Sequence, residues 1–178
     1  MCQAESLAIV PGTIPIASIV ADSAEATGLK WAAPAGGGKV LQVVSATYST
    51  EQSSASASFI TTGLSCAITP SAATSKVLVL YSIAGPRKTD GNLNTGMGMR
   101  LRRAGSDIQI LGSDMLYTAS ALTLYGTTAS SSYLDSPATT SATTYEVFFN
   151  NPNALGSVRV QTSGASSVSS MVLLEIGA

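Results

Sequence analysis

Lys76-Val77-Leu78-Val79-Leu80-Tyr81-Ser82-Ile83 is an apolar run of strand length, rich in β-branched and aromatic side chains. A turn-rich loop, Pro86–Asn94, comes after it. Upstream, Val40-Leu41-Gln42-Val43-Val44 is a second β-branched run, and Ser58-Phe59-Ile60 with Leu64–Thr69 makes another segment, kinked at Gly63. Downstream, Met97, Met99 and Leu101 alternate with Gly98, Arg100 and Arg102, which is the period of two expected of a strand. Ala104-Gly105-Ser106-Asp107 reads as a hairpin turn into Ile108 and Ile110. Further strands are predicted at Met115–Tyr125, Ser132–Leu134, Tyr145–Asn150, Ser157–Gln161 and Met171–Ile176. No segment shows a 3.6-residue apolar period, although the Ala/Ser stretch Gln52–Ser58 is compatible with a helical turn. Short strands at this spacing predict an all-β domain over residues 39–178, a jelly-roll-like antiparallel β-sandwich.

Residues 1–38 read differently. Pro11-Gly12, Pro15 and Pro34 break any helix, and Gly36-Gly37-Gly38 is a flexible joint. The segment is an extended N-terminal arm, with short strands predicted at Ile14–Val20 and Gly28–Ala32. Its apolar side chains Leu7, Ile9, Ile14, Ile16, Ile19 and Trp31 are costly to leave in water, so the arm either folds back or docks into a partner.

The composition narrows the functions. The 178 residues carry 9 Lys+Arg, 10 Asp+Glu and no His, a formal net charge of −1, and only 11% are charged. An average domain is about 25% charged. Without His there is no imidazole base, shuttle or ligand. A near-neutral chain lacks the electrostatic footprint of a nucleic-acid binder. Ser and Thr, about a quarter of the chain, replace the missing charges. Their hydroxyls suit a surface that packs closely or faces the outside of a cell or particle. The start Met1-Cys2-Gln3-Ala4-Glu5-Ser6 predicts neither signal peptide nor lipid anchor, and no apolar run predicts membrane insertion. An exported-looking surface without an export signal points to release by lysis. Two cysteines make no disulfide framework, and Cys66 is expected to be a small core residue.

Catalytic chemistry is scarce. A serine nucleophile needs a base, and no Lys stands three residues after a Ser. The five Asp and five Glu are scattered, and a glycosidase-type pair is the one enzymatic alternative left open. Asp90-Gly91-Asn92-Leu93-Asn94 opens like a calcium loop, but Thr95 stands where Gly is required and Leu101 where the bidentate Glu belongs. Gly96-x-Gly98 lies inside a strand pattern and is not taken as a dinucleotide turn. The expectation is no catalytic residue, no metal and no cofactor. Arg100, Arg102 and Arg103, with Arg87 and Lys88 near them, form the one basic concentration. They are read as a solvated face or intersubunit partners of Asp107 and Asp114, with contact to an anionic surface as the sharper alternative. Tyr117, Tyr125 and Tyr133 are candidate stacking platforms for sugars, against a plain role in the core.

Several stretches together carry a family likeness. The run from Ala21 to Val44, with Leu29-Lys30-Trp31 and Gly36-Gly37-Gly38-Lys39-Val40-Leu41, resembles the linker before a terminal β-domain in tail fibres and other virion proteins of tailed phages, those of aquatic bacteria above all. In order, Leu64–Pro70 with Ser75–Val79, Leu101–Ile108, and Tyr133–Pro137 with Thr140–Tyr145 resemble that domain's strands and hairpin. The likeness covers about residues 20–178. It implies a homotrimeric β-domain displayed on a virion, binding host surface polysaccharide or decorating the particle, with other virion proteins as partners. The chain lacks the long shaft of a whole tail fibre, so a short fibre, a head fibre or a capsid decoration protein stands as the alternative.

Overall fold

The computed structural model describes residues 18–21, 29–32, 38–89 and 94–177. Contacts divide the chain into two units, 1–37 and 38–178. In the first, β1 (Ser18–Ala21) pairs antiparallel with β2 (Leu29–Ala32), setting Ile19 opposite Trp31. The arm residues Leu7, Ile9, Ile14 and Ile16 lie outside the described residues, as does the loop 90–93.

The second unit is built from eight long strands. In chain order they are β3 (Val40–Tyr48), β5 (Ile60–Ile68), β6 (Lys76–Ala84), β8 (Thr95–Arg103), β9 (Ser106–Thr118), β11 (Thr128–Asp135), β12 (Thr143–Asn150) and β14 (Ser169–Ile176). One sheet has the order β11-β6-β14-β3 and the other β5-β12-β8-β9. Ranked first to eighth, the strands give 6-3-8-1 and 2-7-4-5. Every connection but one crosses between sheets, and all neighbours are antiparallel. That is the connectivity of a jelly roll, so the sequence expectation holds. The exception is the β8–β9 hairpin. Its two-residue turn, Ala104 at φ 46° and Gly105 at φ 84°, is where the sequence predicts it.

Alternation explains why these residues form a sandwich. In β6, Val77, Val79, Tyr81 and Ile83 point inward, and Lys76, Leu78, Leu80 and Ser82 point outward. Met171 and Leu173 of β14 continue the inner layer. Leu64, Cys66 and Ile68 of β5, Tyr145, Val147 and Phe149 of β12, and Met97, Met99 and Leu101 of β8 complete one cluster. Each such side chain contributes about 1.5–3 kcal/mol by burial. Cys66 is a buried free thiol, as expected. The kink at Gly63 is real. Its φ of 85° favours glycine, and a Cβ there would run into the Tyr48 ring.

The short strands form a third sheet. β4 (Gln52–Ser54), β7 (Arg87–Thr89), β10 (Leu124–Tyr125) and β13 (Ser157–Val160) pair in the order β10-β7-β13-β4. They sit in the connections between the first and second, third and fourth, fifth and sixth, and seventh and eighth long strands. Those four connections share one end of a jelly roll, so this sheet caps that end. Two expectations are corrected here. Gln52–Ser54 is a strand, because Val158–Val160 offers it a ladder, and is no part of a helical turn. Met115–Tyr125 is not one strand. β9 ends at Thr118, and Leu124–Tyr125 pairs separately with Arg87 and Lys88.

Candidate functional site

The basic cluster of the sequence is dispersed by the fold. Arg100 and Arg102 stand on the outer face of the β5-β12-β8-β9 sheet. Both reach Asp107 across the hairpin, at 2.5 and 2.6 Å. Hydrogen bonding from Arg102 holds the Asp107 carboxyl below its ordinary range. The guanidinium of Arg100 lies 4.1 Å over the Phe59 ring, and that of Arg102 lies 4.3 Å over Phe148. A shallow cleft of about 110 Å³ opens beside Arg100, lined by Phe59, Gly112, Ser113, Asn150 and Pro152. The ion pairs to Asp107 form within one chain. Asp114 instead packs against Gly96, and the Asn150 amide against Gly98, so the two glycines make room for polar side chains.

Arg103, on the inward phase of β8, grips Asp135 of β11 in the facing sheet with contacts of 2.8 Å to both oxygens. Tyr145 donates to the same carboxylate at 2.7 Å. Burial, then the Asp135 charge, pushes the Tyr145 phenol well above its ordinary range. Glu175 is buried nearby. Its Oε1 accepts from Ser71 N at 2.7 Å and Ser71 Oγ at 2.6 Å. The Ser71 hydroxyl bond holds this carboxyl below its ordinary range. Asp135 and Glu175 flank Val77 on the inner face, on the strands either side of β6. Each is engaged by donors of the fold, at 5% and 1% exposure. Among the described residues, no group of three Cys, Asp or Glu is placed to hold a metal ion.

The cap presents the remaining polar groups. Tyr125, Arg87, Arg159 and Ser53 form one cross-strand row on its outer side. Arg159 pairs with Glu51 at 2.8 Å, and the Arg87 guanidinium lies 5.2 Å from the centre of the Tyr125 ring. Tyr125 is 72% exposed. Beneath the row, Lys88 is fully buried. Among the described residues, its ammonium reaches the carbonyls of Thr118 and Ser120, at 3.4 and 3.1 Å, and burial pulls its pKa down. Of the tyrosines proposed as platforms, Tyr117 is exposed and donates to Asn94 Oδ1 at 2.8 Å. Tyr133 is corrected. It packs against the core, because its place in β11 falls on the inward phase. The three tyrosines therefore share no single surface.

The last surface was not singled out from the sequence. The outer face of β11-β6-β14-β3 shows Val43, Leu174, Leu78 and Leu134 in one row. Ser45, Val172, Leu80 and Ser132 make the next, then Thr47, Ser170, Ser82 and Ser130. None of the twelve is charged. A groove of about 310 Å³ lies across it, lined by Leu80, Ser82, Ser130, Ser170 and Val172 among others. The signal was present in the sequence as the outward phase of strands whose inward phase was read.

No protein-family model matches the chain, and no curated protein matches it. Among solved structures it is similar to the VP2 protein of infectious bursal disease virus. A D431N mutant in T=1 particles gives a TM-score of 0.36 at 13% identity, covering 91% of this chain and 45% of that one. The VP2 subviral particle gives 0.36 at 14% identity, covering 92% and 43%. The chain thus spans less than half of VP2, and a likeness of this TM-score assigns neither function nor partner.

Proposed function

We propose that the chain is a non-enzymatic structural protein of a tailed-phage virion, a trimeric appendage that attaches through its arm and displays its β-domain for adhesion to host surface polysaccharide. The observation that carries this reading is the polarity of the domain. Chain enters at Gly38, whose N–H donates to Gly177 O, at the end of the sandwich where β3 begins and β14 finishes. The cap sheet, with Tyr125, Arg87 and Arg159 on its outside, closes the opposite end. Such a layout suits attachment at one end and contact at the other. The jelly roll adds support by analogy, since viral capsid and lectin domains use it. Low charge and abundant hydroxyls fit a surface that packs against copies and recognises neutral or acidic sugars.

A capsid decoration or head-fibre protein is the second reading, favoured by the uncharged outer face of the β11-β6-β14-β3 sheet, which suits close packing on a particle. Mass spectrometry of purified particles should find the protein, and its absence would sink both readings. Labelled antibody seen by electron microscopy separates them, on the tail for the adhesin and over the head for decoration. Purified protein should also block infection if it is the adhesin.

A further inference from the structure

We propose that the outer row of the cap binds the anionic group of an acidic sugar, a carboxylate or sulfate held by Arg87 and Arg159 with the sugar ring set against Tyr125. This deepens the adhesin reading and rests on its claim that the capped end meets a polysaccharide.

Strand register creates the need for an anion. Arg87 of β7 stands directly opposite Arg159 of β13, and facing residues of antiparallel strands lie about 4.5–5.5 Å apart at Cα. Like charges so placed oppose the pairing of their strands. Glu51 relieves Arg159, at 2.8 Å from its Nη1. Among the described residues, no carboxylate pairs with Arg87, and none pairs with Lys88 buried beneath the same sheet. A chain whose formal net charge is −1 therefore gathers unmatched positive charge at the end away from its entry point. An oxyanion between the two guanidiniums would supply the missing counter-charge.

The donors suit such a group. Among the described residues, Arg87 Nε and Arg159 Nε are buried without a partner, so the outer nitrogens are the reachable ones. A guanidinium presents them as a planar fork that meets two oxygens of one oxyanion. Tyr125 completes the row. It faces Arg87 across the strands, is 72% exposed and has its ring centre 5.2 Å from the Arg87 guanidinium. An exposed aromatic ring offers a platform to the apolar face of a sugar. One strand spacing, about 4.8 Å, separates platform from fork, within the span of a single acidic sugar residue. At the far end of the row the Ser53 hydroxyl can donate to or accept from a sugar hydroxyl. A neutral polysaccharide would gain the platform but leave the opposed arginines uncompensated.

The test is calorimetric titration of the full chain with two charged probes, oligogalacturonate and dextran sulfate, and with their neutral counterparts, the methyl ester and plain dextran. At least one charged probe should bind, and its neutral counterpart should bind about tenfold more weakly or less. Arg87→Gln should weaken binding of the charged probe about tenfold, and Tyr125→Ala about threefold. Lys76→Gln removes one positive charge at the opposite end and should leave binding within about twofold. Glu51→Gln frees Arg159 and should tighten binding, a readout that holds if Arg87→Gln fails to fold. A wild type that binds neither charged probe overturns the inference. So does equal binding of charged and neutral probes, a folded Arg87→Gln chain with unchanged binding, or a Glu51→Gln chain that binds no tighter. Those results leave the virion reading standing. Absence of the protein from purified particles sinks that reading and leaves the cap site to the titration.

Discussion

The two ends of the sandwich bury charge in opposite ways. At the open end, where chain enters, the fold buries two carboxylates and supplies each with donors. Asp135 accepts from Arg103 and Tyr145, and Glu175 accepts twice from Ser71. At the capped end it buries a cation, Lys88, against two carbonyls. Among the described residues, five buried polar atoms there have no protein partner (Arg87 Nε, Asn150 Oδ1, Asn151 Oδ1, Arg159 Nε and Gln161 Oε1), against one, Ser75 Oγ, at the open end. A satisfied buried network fixes one structure, and an unsatisfied one opposes folding. The open end therefore anchors the fold, and the cap is the part held against its own electrostatics. Such an end is where binding surfaces are expected, because stability is spent there on something other than packing.

Breaking the anchored end should have the largest effect. Asp135→Ala leaves a half-buried guanidinium and a buried phenol without their acceptor, and should cost about 3 kcal/mol in a urea titration. A loss below about 1 kcal/mol would show that the network is ornamental. Glu175→Ala should cost less, about 1–2 kcal/mol, since the donors it strands, those of Ser71 foremost, are neutral. Its pH dependence gives a sharper reading. The folded carboxyl titrates below its ordinary value of 4.5, so its stabilisation is complete above that pH and is lost as pH falls through the lower folded value. Glu175→Gln should lower stability at neutral pH, where the ionised carboxylate contributes in full, and flatten the acid limb below about pH 4.5. An acid limb identical to wild type would assign acid unfolding elsewhere.

The same contrast marks what could be read from sequence. The strands with an apolar inward phase were legible, as in Val77-x-Val79-x-Tyr81-x-Ile83, whereas β9 was read in two pieces and β11 only at Ser132–Leu134, since Ser131 and Asp135 stand in its inward phase. The glycine kink and the β8–β9 turn were legible because φ above zero selects residue type. The cap was not. Its strands are two to four residues long, too short for periodicity, and they form only because four connections meet at one end. Arg87 and Lys88 looked like members of one basic patch. Strand alternation puts one outside and the other inside, and no pattern of charge in sequence reveals that. The candidate residues Arg100 and Arg102 were rightly put on one face, but their Asp107 partner lies in the same chain.

Lys88 tests the cap from the other side, with an effect of opposite sign. Its folded pKa is lowered by burial from the ordinary 10.5, so the folded state resists the proton that the unfolded chain holds. Stability should then rise as pH climbs through the lowered value toward 10.5, and Lys88→Met should remove that rise. At neutral pH the methionine should be neutral to stabilising, by up to about 1 kcal/mol, because a poorly compensated buried cation is replaced by an apolar chain of similar length. Ser120 O keeps the Leu122 N–H at 2.8 Å, so the substitution does not orphan it. A loss above about 1 kcal/mol would mean that the carbonyl contacts outweigh desolvation, and the cap would then be an anchor like the opposite end. The smallest effect belongs to the ion pairs on the outer face of the open end, beside the β8–β9 turn. Asp107→Asn on the outer face should cost under about 0.5 kcal/mol, and less still in high salt, because solvent already screens both arginines there. If it cost as much as Asp135→Ala, exposure would not be what separates structural from ornamental ion pairs in this fold.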